Sequence, residues 1–468
     1  MNILNAVQIR EADRYTIKYE PISSWNLMER ASGLFLNRVL KDFPSFTRFR
    51  ILCGAGNNGG DGLAVGRMLQ ERGFTDTCCY LVQQQAYSPD NLLNQQLLQV
   101  YRPDSLIIVD DCHSLPMEAD VLWIDALLGT GLNRPPEGLV AACILWLNKR
   151  KDVISIDIPS GLYADGITIH DFVHGLRTYT FEAPKEGLLM PQHEVDFEVI
   201  PIGLNHAVSE FGTGSPVWYR KSEIKQLISK RKRHSHKGTY GHLLVVAGSK
   251  NKPGAAIMAA KAALRSGVGL VTILLPEEIR NTVMAQVPEA MCLTGGQDII
   301  SELPDFLPGN LDAITAGPGL GTDEQTGSVM NKLMQTFPDV PLLLDADAIN
   351  LLSNKHISIK FLNNRALLTP HPGEFRRLMG PWKDDQERLA LLSSFCLNEC
   401  CSIILKDTYC VYSNCKGHLS YHTGGNTGLA KGGSGDVLTG IIGGLLATGM
   451  PRNAAAALGL YLHGCAAD

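Results

Sequence analysis

FRILCGAGNNGGDGLAVGRMLQER, residues 49–72, reads as a strand (residues 49–53), a glycine-rich turn, and a helical pattern from Leu63 to Arg72. An apolar run closed by glycine suits a strand covered on both faces, and a helix straight after it begins a β–α–β unit. The beat recurs in VLWIDALLGTG (121–131) and VISIDIPSGL (153–162). Each run ends in a polar or glycine-rich turn, as parallel strands do where their C-terminal ends line a ligand crevice. Residues 1–40 precede this series and have a helical pattern.

Further along, KSEIKQLISKRKRHSHKGTYG (221–241) is charged and irregular, and a fresh strand follows in HLLVVAGS (242–249). The α/β beat then resumes through AGSKNKPGAA, LDAITAGPGLG, VPLLLDADAIN, ALLTPHPGE and SIILKD to GGNTGLAKGGSGDVLTGIIGGLLATG. A chain of 468 residues exceeds one hydrophobic core. Two α/β domains are expected, residues 1–218 and 219–468.

Composition narrows the function. With 45% hydrophobic and 19% charged residues the chain is globular, and a net charge of -5 removes any general attraction to nucleic acid or anionic membrane. The basic cluster Lys230–Arg233 lacks interleaved aromatic residues and reads as a solvated linker or a phosphate contact. The 12 cysteines form no CxxC, so neither a disulfide framework nor a zinc site is indicated, and reduced thiols fit best. The polar N-terminus has no apolar leader, and Val437–Met450 is glycine-broken and too short to span a bilayer. A cytoplasmic enzyme is expected.

GGSGDVLTG, Gly432–Gly440, is the strongest chemical signal in the second half. A glycine turn opening into a helix offers unpaired N–H groups at the positive end of the macrodipole, a seat for phosphate. Asp436 is either a dipole-favoured first-turn residue or a general base beside a transferring phosphoryl group. In the first half GAGNNGGDG, Gly54–Gly62, offers close backbone approach to a pyrophosphate, with asparagine and aspartate oxygens alongside.

With these motifs in sequence order, residues from about 222 onward resemble the ribokinase-like ADP/ATP-dependent NAD(P)H-hydrate dehydratases. The first ~215 residues resemble the NAD(P)H-hydrate epimerases, whose signature is NNGGDG. The order matches the fused bacterial repair enzymes, and the resemblance covers essentially the whole chain. It implies a Rossmann-like α/β/α sandwich followed by a ribokinase-like α/β domain.

For the second half the resemblance implies nucleotide contacts from Lys406, Asp407, Thr408, Tyr409 and Cys410 and from Gly432, Gly433, Ser434 and Gly435. It implies substrate contacts from Ala255 (in the pair Gly254–Ala255), Gly319, His371 and Asp436, with Glu374 near metal and phosphate. Ala255 is alternatively a helix-packing residue, His371 a capping histidine, and Asp345 and Asp347 strand-end turn residues. The family's LKG is LKD here, so Asp407 adds a negative charge beside Lys406. The family also carries a further helical segment beyond the final YLHGCAAD, which makes a shortened C-terminus an expectation.

For the first half the resemblance implies substrate contacts from Asn57, Asn58, Gly59, Gly60 and Asp61, from Gly129, Thr130, Gly131, Leu132, Asn133, Arg134 and Pro135, and from Asp157. It implies potassium at Asn58, Asp125 and Ser160. Hard oxygens from adjacent strand ends suit a large alkali cation. Asp157 is a plausible acid/base; the alternative is a turn or helix cap.

The implied substrates are the C6 hydrates of NADH and NADPH, NADHX and NADPHX. Phosphoryl transfer from ADP or ATP, with Mg²⁺, turns the C6 hydroxyl into a leaving group that the ring nitrogen expels; Asp436 takes the hydroxyl proton. One epimer fits a chiral pocket, so the first domain interconverts the two. A homo-oligomer without nucleic-acid or membrane partners is expected. The alternatives are a ribokinase-like kinase of hydroxyethylthiazole or hydroxymethylpyrimidine type, and a first domain kept only for nucleotide binding or scaffolding.

Overall fold

The computed structural model describes residues 1–205, 215–228 and 230–467. They form two compact units, Met1–Ser215 and Pro216–Asp468. Val217–Trp218 pairs in parallel with Leu419–His422, which draws the start of the second unit to before residue 219.

The first unit is a seven-stranded sheet, parallel at every pairing. Its strands lie in the order Leu106–Val109, Thr77–Val82, Phe49–Cys53, Leu122–Ala126, Val153–Ile156, Arg177–Phe181, Phe197–Ile200. Chain order reverses between Phe49–Cys53 and Leu122–Ala126, and a ligand crevice forms beyond the C-terminal ends of strands at such a switch point. The GAGNNGGDG turn is tighter than its sequence suggests. The helix after the first strand runs Asn57–Glu71, six residues earlier than Leu63, with Gly56 as its N-cap. NNGGDG is therefore its first turn. A Cβ on Gly59 would drive into the Gly54 carbonyl, so glycine is what lets this turn lie against the strand end. The N-terminal helical stretch resolves into helices Ala6–Tyr19 and Ser24–Asp42.

The second unit is a ten-stranded sheet. Seven strands, from Met291–Thr294 at one edge to Ser402–Leu405, run parallel; Cys410–Ser413 and Leu419–His422 then extend the sheet antiparallel. Helix Ser434–Ala447 packs on helix Pro253–Ser266 through small residues: a Cβ on Gly440 would strike the Ala259 carbonyl. That close approach brings the GGSGD turn beside the start of the other helix.

Of the basic cluster, Arg231 hydrogen-bonds the Gly267 carbonyl and lies over the Tyr240 ring at 4.0 Å, so it packs on its own unit's surface. All 12 cysteines are unpaired. Among the described residues, no helix is long and apolar enough to cross a membrane.

Candidate functional site

At the switch point of the first unit lies a cavity of about 880 Å³. Asn57, Asn58 and Asp61 reach it from the first turn of helix Asn57–Glu71, the segment Gly129–Pro135 from beyond strand Leu122–Ala126, and Asp157 from the end of strand Val153–Ile156. Gly59 and Gly60 are not on its wall. The space a Gly60 side chain would need is filled by Met28, so these two glycines act by close packing.

Asp157 has φ +63, a left-handed conformation uncommon for a non-glycine residue and a mark of stored strain. The turn aims its carboxylate at the Phe181 N–H (2.9 Å) and the Lys185 ammonium. Lys185 is only 3% exposed; it also donates to Thr180 (2.8 Å) and the Phe181 carbonyl (3.0 Å). Two further acids share this space. Asp61 accepts from the Ser32 hydroxyl at 3.1 Å, and burial, with Asp157 nearby, pushes its carboxyl well above the usual range. Asp13, on helix Ala6–Tyr19, lines the cavity too; burial and the Asp157 charge push it up to about 6. Neither Lys185 nor Asp13 is among the residues expected from the sequence. The one signal for Asp13 is that Ile9, Asp13 and Ile17 fall on one helical face.

Asn58, Asp125 and Ser160 gather around the backbone of Leu127–Leu128. Buried Asp125 accepts from the Ser160 N–H (2.8 Å) and hydroxyl (2.5 Å), the Ser155 hydroxyl (2.9 Å) and the Leu127 N–H (3.3 Å). Asn58 donates to the Leu128 carbonyl at 2.9 Å, and the Leu128 N–H donates to Ser160 at 2.8 Å. Every one of these donors to Asp125 is neutral, and burial raises its carboxyl despite them. The set has one carboxylate and otherwise neutral oxygens, without thiolate or imidazole, which suits an alkali cation rather than zinc.

In the second unit the GGSGD turn opens helix Ser434–Ala447, with Gly433 at φ +88 as N-cap and the Ser434 hydroxyl donating to the Leu429 carbonyl at 2.7 Å. Gly432 has open space beside its Cα. Asp436, in the first turn, is raised to about 6 by burial and by Asp345, with Lys406 pulling the other way. Asp345 proves central: it accepts from Lys406 at 2.8 Å and from Thr439, on the Asp436 helix, at 2.6 Å. Burial works against the Lys406 ammonium, but Asp345 outweighs it and the net shift is upward. Asp347 takes Lys252 at 3.1 Å and the Gly321 N–H at 2.8 Å, tying the GPGLG turn to the residue before helix Pro253–Ser266. There Ala255 and Gly319 adjoin; a Cβ on Gly319 would lie 2.8 Å from that of Ala255.

His371 is a helix cap in this structure. Its Nδ1 accepts from the Gly373 N–H at 3.0 Å, and its own N–H donates to Glu374 at 2.8 Å, a closed capping box. Its Nε2 lies 3.5 Å from the Glu374 carboxylate. Lys406, Asp407, Thr408 and Tyr409 form the connection to strand Cys410–Ser413, where burial raises the Cys410 thiol. Asp407 does not burden this connection with free charge, because Arg388 binds it at 2.5 Å and Asp385 at 2.9 Å. Arg388 is nearly buried, and Arg388→Ala removes the positive charge that pairs with both carboxylates. A loss of roughly 3–5 kcal/mol is expected, read as a lowered Tm in thermal unfolding.

Two family models match the chain. One described as YjeF-related protein N-terminus covers residues 24–187, and one described as NAD(P)H-hydrate dehydratase covers residues 243–468. A bifunctional NAD(P)H-hydrate repair enzyme of Moorella thermoacetica is 32% identical, over 100% of this chain and 92% of its own length. Its counterpart in Coxiella burnetii is 33% identical over 98% and 93%. Among solved structures, an ADP/ATP-dependent NAD(P)H-hydrate dehydratase of Bacillus subtilis, co-crystallized with ATP/Mg²⁺, is 31% identical, covering 53% of this chain and 88% of that one at TM-score 0.46.

Proposed function

The chain belongs to the bifunctional NAD(P)H-hydrate repair enzymes, and on that premise we propose that each unit carries one of the two activities, epimerisation in the first and nucleotide-dependent dehydration in the second. Relatives matched along both units speak against a lone hydroxyethylthiazole- or hydroxymethylpyrimidine-type kinase.

In the second unit, the first-turn N–H groups of helix Ser434–Ala447 hold the transferring phosphoryl of ADP or ATP, with the Lys406 charge behind them. Mg²⁺, when bound, neutralises phosphate charge and draws most of its ligands from phosphate and water. Asp436 takes the proton of the C6 hydroxyl as its oxygen attacks. Asp345 orients Lys406 and Thr439, and so holds helix and ammonium in register. The N1 lone pair then expels the phosphate to give an N1=C6 iminium, and loss of a C5 proton to solvent forms the C5=C6 bond and restores the reduced nicotinamide. The raised Asp436 carboxyl carries this reading: a base that titrates near neutrality is matched to its task.

In the first unit, Asp157 is the acid/base at C6, with Lys185 holding its carboxylate, and K⁺ binds at Asn58, Asp125 and Ser160. The cation supplies the positive charge that the neutral donors around Asp125 lack. Anomalous scattering from crystals grown in rubidium or thallium salt is expected to give a peak within reach of all three oxygens. A blank map at full salt occupancy would leave these residues only a bracing role.

The whole reading is tested by giving the purified chain chemically hydrated NADH with ADP or ATP. Recovery of the near-ultraviolet absorbance of reduced nicotinamide is expected only with nucleotide present.

A further inference from the structure

Helix Ala6–Tyr19 precedes the residues 24–187 that the family model matches, and Ile9, Arg10, Asp13, Arg14 and Ile17 all line the first unit's cavity. These positions, i, i+1, i+4, i+5 and i+8, make one helical face. The helix is fastened at both ends. The Ala6 N–H donates to both oxygens of Asp165 at 3.1 Å, Asn5 closes a capping box, and Thr16 accepts the Asn205 N–H at 3.2 Å. The wall that presents Asp13 is therefore built in advance of any ligand.

Resting on the reading of the first unit as the epimerase, we propose that Asp13 is its second catalytic residue, the general acid that protonates the departing C6 oxygen while Asp157 serves as base. The C6–O bond breaks with its electron pair going to oxygen, which takes the Asp13 proton and leaves as water. The N1 lone pair closes an N1=C6 double bond, giving a cyclic iminium. Water adds to the other face of C6, the π pair returns to N1, and the surplus proton passes to Asp157. Solvent returns one proton to Asp13 and takes one from Asp157, so nothing is consumed.

Charge placement favours Asp13 over the other acids. Asp61, on helix Asn57–Glu71, already accepts from the Ser32 hydroxyl at 3.1 Å, and burial and its acidic neighbours raise its carboxyl. Glu182 spends its carboxylate on the Ile202 and Gly203 N–H groups, each at 3.0 Å. Asp157 is engaged by Lys185. Arg10 and Arg14 on the same helix, and Arg134 and Glu137 beyond strand Leu122–Ala126, complete the charged lining. Asp13 lines the cavity, and burial with the Asp157 charge raises its carboxyl to about 6, so it can exchange a proton near neutral pH.

The test uses the full chain with chemically hydrated NADH and follows epimer exchange by chromatography. Asp13→Asn is expected to lower kcat for exchange by ~10²–10⁴-fold with KM little changed. Wild-type exchange falls as pH rises through the Asp13 value, because the acid is then spent, and the variant's residual rate lacks that limb. Should Asp13→Asn fail to fold, Asp13→Glu decides: a reduced kcat with a displaced alkaline limb supports the role, and an unchanged profile overturns it. Near-wild-type kcat in Asp13→Asn, or a loss carried wholly by KM, overturns it as well. A wild-type chain that exchanges no epimer overturns the epimerase reading itself, which sets that failure apart.

Discussion

Replacing Asp436 by asparagine is expected to slow nucleotide-dependent dehydration by ~10²–10⁴-fold while leaving nucleotide affinity nearly intact, since general-base catalysis is worth about that much. The phosphoryl seat is backbone, and asparagine leaves it in place. The pH profile supplies a second signature. A base works when deprotonated, so wild-type dehydration falls as pH drops through the raised value of about 6, and Asp436→Asn loses that limb. The stability sign is opposite to the activity sign. A carboxyl raised by burial favours folding when protonated, and this contribution is lost as pH rises through its folded value. At neutral pH the variant is therefore expected to show a Tm no lower than wild type, which separates lost chemistry from lost fold. Near-wild-type turnover would remove Asp436 from the mechanism.

The second large effect is at Asp157. With mixed epimers and excess nucleotide, a variant lacking its carboxylate is expected to show an undiminished fast phase, followed by a remainder limited by spontaneous epimerisation. The positive φ makes asparagine the better replacement, because the left-handed region tolerates it where alanine is strained. Asp157→Asn also leaves an oxygen for Lys185, whose ammonium is otherwise buried without its partner. Time courses with each epimer separately would check this. Loss of the fast phase would mean the two activities are not divided between the units as proposed.

Much of this protein is legible along the chain. Glycine-closed apolar runs at residues 49–53, 121–126 and 153–156 announce parallel strands, because a strand buried on both faces has no polar alternation. GGSGD announces a glycine turn opening a helix, because turn and helix start are contiguous, and helix Ser434–Ala447 begins there. NNGGDG reads as a loop, yet it is the first turn of a helix. Its glycines serve close packing, and nothing local distinguishes a glycine needed for a turn from one needed for contact. Asp345 shows the opposite error, a strand-end residue that binds Lys406, 61 positions away, and Thr439, 94 away. His371 turns inward to its own helix because the two N–H groups that follow it need an acceptor. Asp407 departs from the family pattern, and only the fold brings Arg388 against it.

By itself, then, the sequence determined the fold class, the repair family and the motif residues, because each depends on neighbours within a few positions. Tertiary structure alone decided which acids share a space. Asp13, Asp61, Asp157 and Lys185 come from two helices, a strand end and a turn; the raised carboxyls of Asp13 and Asp61 arise from burial and from neighbouring charge, which no local stretch of sequence records.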